Sequence, residues 1–167
     1  MTGSVSEKRL LIVWHSRTGA SETMAAEAAK AAKDEIPVDL LNAKKTEVEH
    51  IMCACAFLFV CPENLGALSG SMKEFFDRSY YPVLGQIEGR PYGTIIAAGS
   101  DGTGAERQLD RIVTGWRLNR VIDPFIANFD AQDAQSIIAP KRVSSATLQK
   151  CREIGATLGA GAAMGVF

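Results

Sequence analysis

The sequence has no run of apolar residues near the ~18 needed to cross a bilayer. Its first residues, Met1 to Glu7, are polar where a signal peptide needs an apolar core. Both absences point to a cytoplasmic protein with no membrane span. A surplus of positive charge is missing too: 18 Lys and Arg against 19 Asp and Glu give a net charge of -1, so nothing favours nucleic acid or an anionic membrane as a partner. Cysteine is scarce. Cys53, Cys55, Cys61 and Cys151 include no C-x-x-C pair and no His at metal-ligand spacing, so no metal is expected and all four read as reduced core thiols. Internal repeats and low-complexity linkers are absent, and 167 residues at 47% hydrophobic and 22% charged composition suit one domain, 1–167, with a proper core.

What is present alternates. Leu10 to Trp14 is apolar on both faces, as a central parallel strand must be, and His15 to Ser21 follows as a short hydroxyl-rich turn into an alanine-rich helix through Thr23 to Lys33. The first amides of such a helix are unpaired and lie at its positive end. With the hydroxyls of Ser16, Thr18 and Ser21 they can cradle a phosphate, although Ser, Thr and Gly are also ordinary capping and turn residues.

Ile36 to Leu41 reads as an edge strand, with Pro37 near its start. A polar link with one helical turn, Asn42 to Ile51, precedes the most apolar run, Cys53 to Val60, taken as the second central strand. Pro62 to Gly66 ends it as a loop, since proline cannot extend a central ladder. Ser69 or Ser71 caps a helix to about Tyr80 with Met72, Phe75, Phe76 and Ser79 toward the sheet, and Pro82 lies just past its end. Tyr92 to Ala98 is a strand running into Gly99 to Gly104, and Leu109, Ile112, Val113 and Trp116 mark a helix from Ala105 to about Leu118. Val121 to Asn128 is a last strand interrupted by Pro124, Phe129 to Pro140 is irregular, and Val143 to Ala163 is a closing helix. Glycines 155, 159, 161 and 165 weaken that helix unless another surface packs closely there.

Five strands alternating with helices predict an α/β three-layer sandwich with a parallel sheet. Right-handed crossovers put the strand C-termini, and with them Ser16 to Ser21, Pro62 to Gly70 and Gly99 to Gly104, on one edge. The first loop suits a phosphate monoester, the second can hydrogen-bond or cover a flat ring, and the third lets backbone approach a planar heterocycle. A dinucleotide fingerprint and a Walker A motif are both absent, and His15-Ser16 stand where a receiver domain carries paired carboxylates. The ligand indicated is a phosphate monoester bearing a flat ring.

The run Trp14-His15-Ser16-Arg17-Thr18-Gly19 resembles the flavin phosphate loop of the flavodoxin-like superfamily. Cys61 to Arg78 is similar to the loop and helix of its NAD(P)H-dependent FMN reductase branch, and Gly99 to Ala105 resembles the third flavin loop. The resemblance implies a flavodoxin-like five-stranded sheet of order 2-1-3-4-5, with FMN phosphate on Ser16, Arg17, Thr18, Gly19, Ala20 and Ser21. It implies the isoalloxazine between Pro62, Glu63, Asn64, Leu65 and Gly66 on one side and Gly99, Ser100, Asp101, Gly102, Thr103 and Gly104 on the other. Ala20 and Ser21 stand where many members have Asn and Thr, and the second loop lacks the aromatic many members offer there.

The implied activity is electron transfer from NADPH or NADH through FMN to a small acceptor, a flavin or a quinone. No catalytic side chain is required, because the flavin carries the chemistry and amides around Ser100 to Gly104 stabilise its charge. Two alternatives stay open: a flavodoxin-type electron carrier, to which the near-neutral charge is unsuited, and a flavin-free binding protein with the same fold. The sequence leaves the oligomeric state open, a homo-oligomer included.

Overall fold

The computed structural model describes residues 7–167, so the polar character read at Met1 to Glu7 falls almost wholly outside the described residues. The strands are β1 (Leu10–Trp14), β2 (Val38–Asn42), β3 (Ala56–Asn64), β4 (Ala67–Leu68), β5 (Pro91–Ala98), β6 (Asn119–Arg120) and β7 (Phe125–Asn128). The helices are α1 (Ala20–Ala32), α2 (Val48–Cys53), α3 (Gly70–Val83), α4 (Thr103–Gly115), α5 (Ala134–Ile138) and α6 (Ser145–Met164).

The sheet runs β2-β1-β3-β5, and both β6 and β7 pair with the free side of β5 in parallel. Counted as lanes this is the expected 2-1-3-4-5 order, with the fifth lane in two pieces. The break has a local cause. Tyr92 and Ile95 of β5 are three residues apart, whereas their partners Arg120 and Phe125 are five apart. Val121 still donates its amide to the Tyr92 carbonyl at 3.1 Å, and Ile122 to Pro124 then leave the ladder, to which Pro124 cannot donate.

Alternation along β1 and β3 builds two core layers. Leu11, Val13, Phe57 and Phe59 face α3 and α4, meeting Phe75, Phe76, Leu109, Val113 and Trp116. Leu10, Ile12, Leu58 and Val60 face α1 and α6, meeting Met24, Ala28, Ile154 and Leu158. Met72, Phe75, Phe76 and Ser79 are buried, as their spacing requires. The glycines of α6 also find their surface: a Cβ on Gly155 would strike the carbonyl of Ala28, with the Ala28 Cα only 2.8 Å away.

Four expectations need correction. Cys53 ends α2 and does not open a strand; β3 starts at Ala56. At the other end β3 continues through Pro62 to Asn64. The amide of His15 donates to Val60 in the last rung with β1, and the following rung would need an N–H from residue 62. Proline therefore stops pairing on the β1 side, while the β5 side continues with Pro62 opposite Ala97. Pro82 lies inside α3, in its last turn, where only one helical hydrogen bond is forfeited. The stretch Phe129 to Pro140 contains α5, whose N-cap Asp133 accepts from the amide of Ser136 at 2.9 Å.

Candidate functional site

β1 delivers the first loop to the carboxyl edge of the sheet. Gly19, at φ 92, turns the chain into α1, and its amide donates to Ser16 Oγ at 3.0 Å. Thr23 is the first residue whose amide reaches back, to the carbonyl of Gly19 at 3.1 Å. The amides of Ala20, Ser21 and Glu22 thus face outward from the positive end of a 13-residue helix. Ser21 is 1% exposed, and its Oγ has no hydrogen-bond partner among the described residues. A buried hydroxyl without a partner costs about 1–3 kcal/mol.

The second loop is a hairpin. β3 and β4 pair through Asn64 and Ala67, and the two turn residues Leu65 and Gly66 both have positive φ, 53 and 72. Such a turn matches the twist of the strands. Leu65, fully exposed at the tip, holds a conformation that L-residues rarely adopt. The third loop leads from Gly99 into α4. Asp101 accepts from the Thr103 hydroxyl at 2.8 Å and its amide at 3.3 Å, which makes it a turn cap.

Glu63 joins the two loops. Its Oε1 accepts from the amide of Gly102 at 2.9 Å and its Oε2 from the amide of Ala105 at 3.1 Å, so the carboxylate occupies the start of α4. Gln108 Oε1 adds a second tie by accepting from the amide of Leu68 at 2.8 Å. The backbones of Gly66 and Gly104 meet so closely that a Cβ on Gly104 would strike the Gly66 carbonyl. This corrects the expectation for the third loop, because the amides of Gly102 and Thr103 are engaged by Glu63 and Asp101. Those of Ser100, Asp101 and Gly104 are not engaged within the protein among the described residues.

A narrow crevice opens where the three loops meet. Of the expected residues, Arg17, Thr18, Ala20, Pro62, Glu63, Asn64 and Gly99 line it. Ser16, Gly19 and Ser21 shape the turn beneath, while Leu65, Gly66 and Ser100 to Gly104 lie around its rim and behind it. Phe129, Ile137 and Lys141 form a further wall that the sequence reading missed. Lys141 donates its amide to the Thr18 carbonyl at 3.0 Å, and its ammonium caps α5 through the carbonyls of Ser136, Ile137 and Ala139. The amide of Ala131 donates to Gly99 at 2.8 Å. The segment 129–141 is thereby pinned to the first and third loops, and it brings an aromatic side chain to a crevice whose second loop has none.

His15 turns away from the crevice. Its Nδ1 shares a hydrogen bond of 2.8 Å with Ser69 Oγ, which draws that hydroxyl off its capping role on α3. Burial, helped by nearby Lys44, lowers its pKa from the ordinary value. Cys61 and Cys151 are buried and their thiols are pushed up to about 12 by desolvation, whereas Cys53 is exposed and Cys55 half-buried, which corrects the reading of all four as core thiols. Trp116 is buried, as expected, and donates its indole N–H to the Tyr80 carbonyl at 3.0 Å.

A family model described as NADPH-dependent FMN reductase matches residues 45–130, a span that holds the second and third loops and not the first. The flavodoxin of Aquifex aeolicus (strain VF5) is 25% identical over 157 residues, covering 90% of this chain and 84% of that protein. Two solved structures share the fold. A flavodoxin from the domain Archaea superposes with a TM-score of 0.75 at 13% identity, over 92% of this chain and 98% of its own. A flavodoxin, WrbA-like protein from Agrobacterium tumefaciens gives 0.71 at 16% identity, over 95% and 99%.

Proposed function

The chain belongs to the NADPH-dependent FMN reductase family, and from that premise we propose that it is an FMN-binding oxidoreductase passing electrons from NADPH or NADH to a small acceptor, a flavin or a quinone. The observation that carries this reading is the buried, partnerless hydroxyl of Ser21 beside three outward-facing amides at the start of α1. A phosphate monoester supplies the acceptors that this set lacks.

In this reading Ser16, Thr18 and Ser21 hold the phosphate with the amides of the first turn, and Arg17 lies at the mouth of the crevice to pair with it. Pro62, Asn64, Gly99 and Phe129 wall the space for a flat ring. FMN bound there supplies hydride acceptance and release, which no side chain of the crevice can supply. Glu63 keeps the second and third loops in register, and 129–141 shields the crevice from water. One domain does all of this. The four cysteines, unpaired in the structure, suit a reducing, cytoplasmic setting.

Ser21→Ala tests the reading from both sides. Without ligand the variant is as stable as the parent or more so, because it deletes an unsatisfied buried group. With FMN its dissociation constant rises about tenfold, the equivalent of one lost hydrogen bond to a charged group. A protein that binds no FMN at micromolar concentration, or a variant that binds it equally, overturns the reading. The match to a flavodoxin along 90% of the chain favours a second reading, an electron carrier. Anaerobic NADPH decides: bleaching at catalytic rates marks the enzyme, and reduction only through a partner protein marks the carrier.

A further inference from the structure

Across the hairpin from the crevice, a groove runs between α3 and α4. Its near part is a depression on α4 alone, lined by Gly104, Arg107, Gln108 and Arg111, and its far part lies between the two helices, where Asp77 lines it together with Phe76, Tyr80, Tyr81 and Ile112. Gln108 and Ile112 are one turn apart on α4, so the two parts adjoin. Arg107 and Arg111 are both exposed, also one turn apart, and neither has an anionic partner among the described residues. Five of the ten arginines, Arg9, Arg78, Arg117, Arg120 and Arg152, have one, and Arg17, Arg90 and Arg142 share the lack; what sets Arg107 and Arg111 apart is that the two lie one turn apart on one helix and line the same depression. Like charges at this spacing repel and weaken a helix, and an anion held between them reverses the sign.

At the far end Tyr81 is 78% exposed. It is not a loose side chain: its ring meets Tyr80 edge-on at 5.2 Å, and Tyr80 stacks on buried Trp116 at 5.9 Å. A fixed, exposed aromatic ring offers a stacking platform for a flat base. The groove connects to the crevice through the backbone contact of Gly66 with Gly104 and through the carboxylate of Glu63, which lines one cavity and holds the α4 turn that opens the other. Seven residues of helix separate Gly104 from Arg111, about 10 Å along α4, a span that the pyrophosphate and ribose of a dinucleotide can bridge.

We propose that the α3–α4 groove binds the 2′-phosphoadenosine end of NADPH, with its phosphate on Arg107 and Arg111 and its adenine on Tyr81. This rests on the flavin reading of the crevice, which receives the nicotinamide end. A second protein with an acidic face is the other class of occupant that two guanidiniums could attract. A broad acidic surface would also meet Glu74 and Asp77 on α3 and Asp101 on the third loop, and none of these lines the depression formed by Arg107 and Arg111, where the phosphate is placed.

The experiment is calorimetric titration of adenosine 2′,5′-bisphosphate and of 5′-AMP into the full chain, with and without FMN, for the parent, Arg107→Ala/Arg111→Ala and Tyr81→Ala. The bisphosphate is expected to bind more tightly than 5′-AMP. The double arginine variant should lose about tenfold or more in its affinity and show a matching rise in KM for NADPH, with the KM for NADH moving less than about twofold. Bisphosphate affinity unchanged in the double variant overturns the proposal. So does a variant that keeps its KM for NADPH and loses only the rate of reduction of a protein acceptor. Parallel FMN titration separates the two readings: FMN bound and bisphosphate refused sinks the groove alone, while bisphosphate bound and FMN refused sinks the crevice reading and leaves the groove a phosphoadenosine site.

Discussion

Glu63→Gln isolates the device that holds two of the three loops together. The glutamate carboxylate accepts two backbone N–H groups, at 2.9 and 3.1 Å, at the start of a 13-residue helix. Glutamine has the same length but a single acceptor oxygen, so one amide keeps its partner and the other faces an NH₂ group. The lost bond is to a charged acceptor, about 1.5–3 kcal/mol, and the lost interaction of the charge with the helix terminus adds about 0.3–1 kcal/mol. Because Glu63 is partly solvated, the lower part of that range applies, about 2 kcal/mol or a fall of about 4–8 °C in Tm for a chain of this size. Glu63→Asp keeps the charge but draws the carboxylate back by one methylene, and it should move Tm the same way. Thermal and urea denaturation of the flavin-free protein read both, and FMN titration should show weaker binding as the hairpin loosens. If Glu63→Gln unfolds within about 1 °C of the parent, the carboxylate is not the tie described here.

Gly155→Ala should destabilise by about 1–3 kcal/mol, because its Cβ meets backbone of Ala28 that cannot rotate away, and this exceeds the gain of about 1 kcal/mol in helix propensity. Gly159→Ala, whose nearest neighbours stand at 3.3–3.4 Å, should be close to neutral, and urea unfolding of the pair separates the two. His15 has its folded pKa below the ordinary 6.5, so the unfolded chain takes up its proton first. Stability is therefore lost as pH falls from about 6.5 toward the lower folded value, and His15→Gln should flatten that part of the stability–pH curve. Thiol titration with a disulfide reagent near pH 8 should modify Cys53 first and spare Cys61 and Cys151 until the chain unfolds, since those two are buried with thiols pushed up to about 12.

Sequence pattern shows most clearly where burial is symmetrical. Leu10 to Trp14 and Phe57 to Val60 face a helix layer on each side, so they are apolar throughout and read as central strands without help from context. Gly19 and Gly102 mark the two loop-to-helix turns for an equally local reason, since both sit at positive φ directly before a helix. Pro62 misleads because the rule against proline in a central strand assumes partners on both sides. Here the β1 ladder has already ended, a fact that belongs to the register and not to residue 62. Segment 129–141 is hidden for a related reason. Its residues carry no periodicity, and what fixes them is a set of contacts with Thr18 and Gly99 more than thirty residues away. The one local sign was Asp133 three residues before Ser136, a capping pair at the start of α5.

These long-range ties explain why the first loop can keep an unsatisfied hydroxyl. α1 is clamped from behind by α6, where Gly155 lets the helices approach to backbone contact. In front, the amide of Lys141 holds the Thr18 carbonyl and keeps the turn from relaxing outward. A loop fixed on both sides retains its donors in place before any ligand arrives, and the ordering entropy is then met during folding and not on binding. The order of effects follows. Gly155→Ala, which touches no part of the crevice, should weaken FMN binding as well as stability, whereas Gly159→Ala should leave both nearly unchanged. Equal FMN affinity in the two variants would mean that the first loop adapts to its ligand and is not held ready for it.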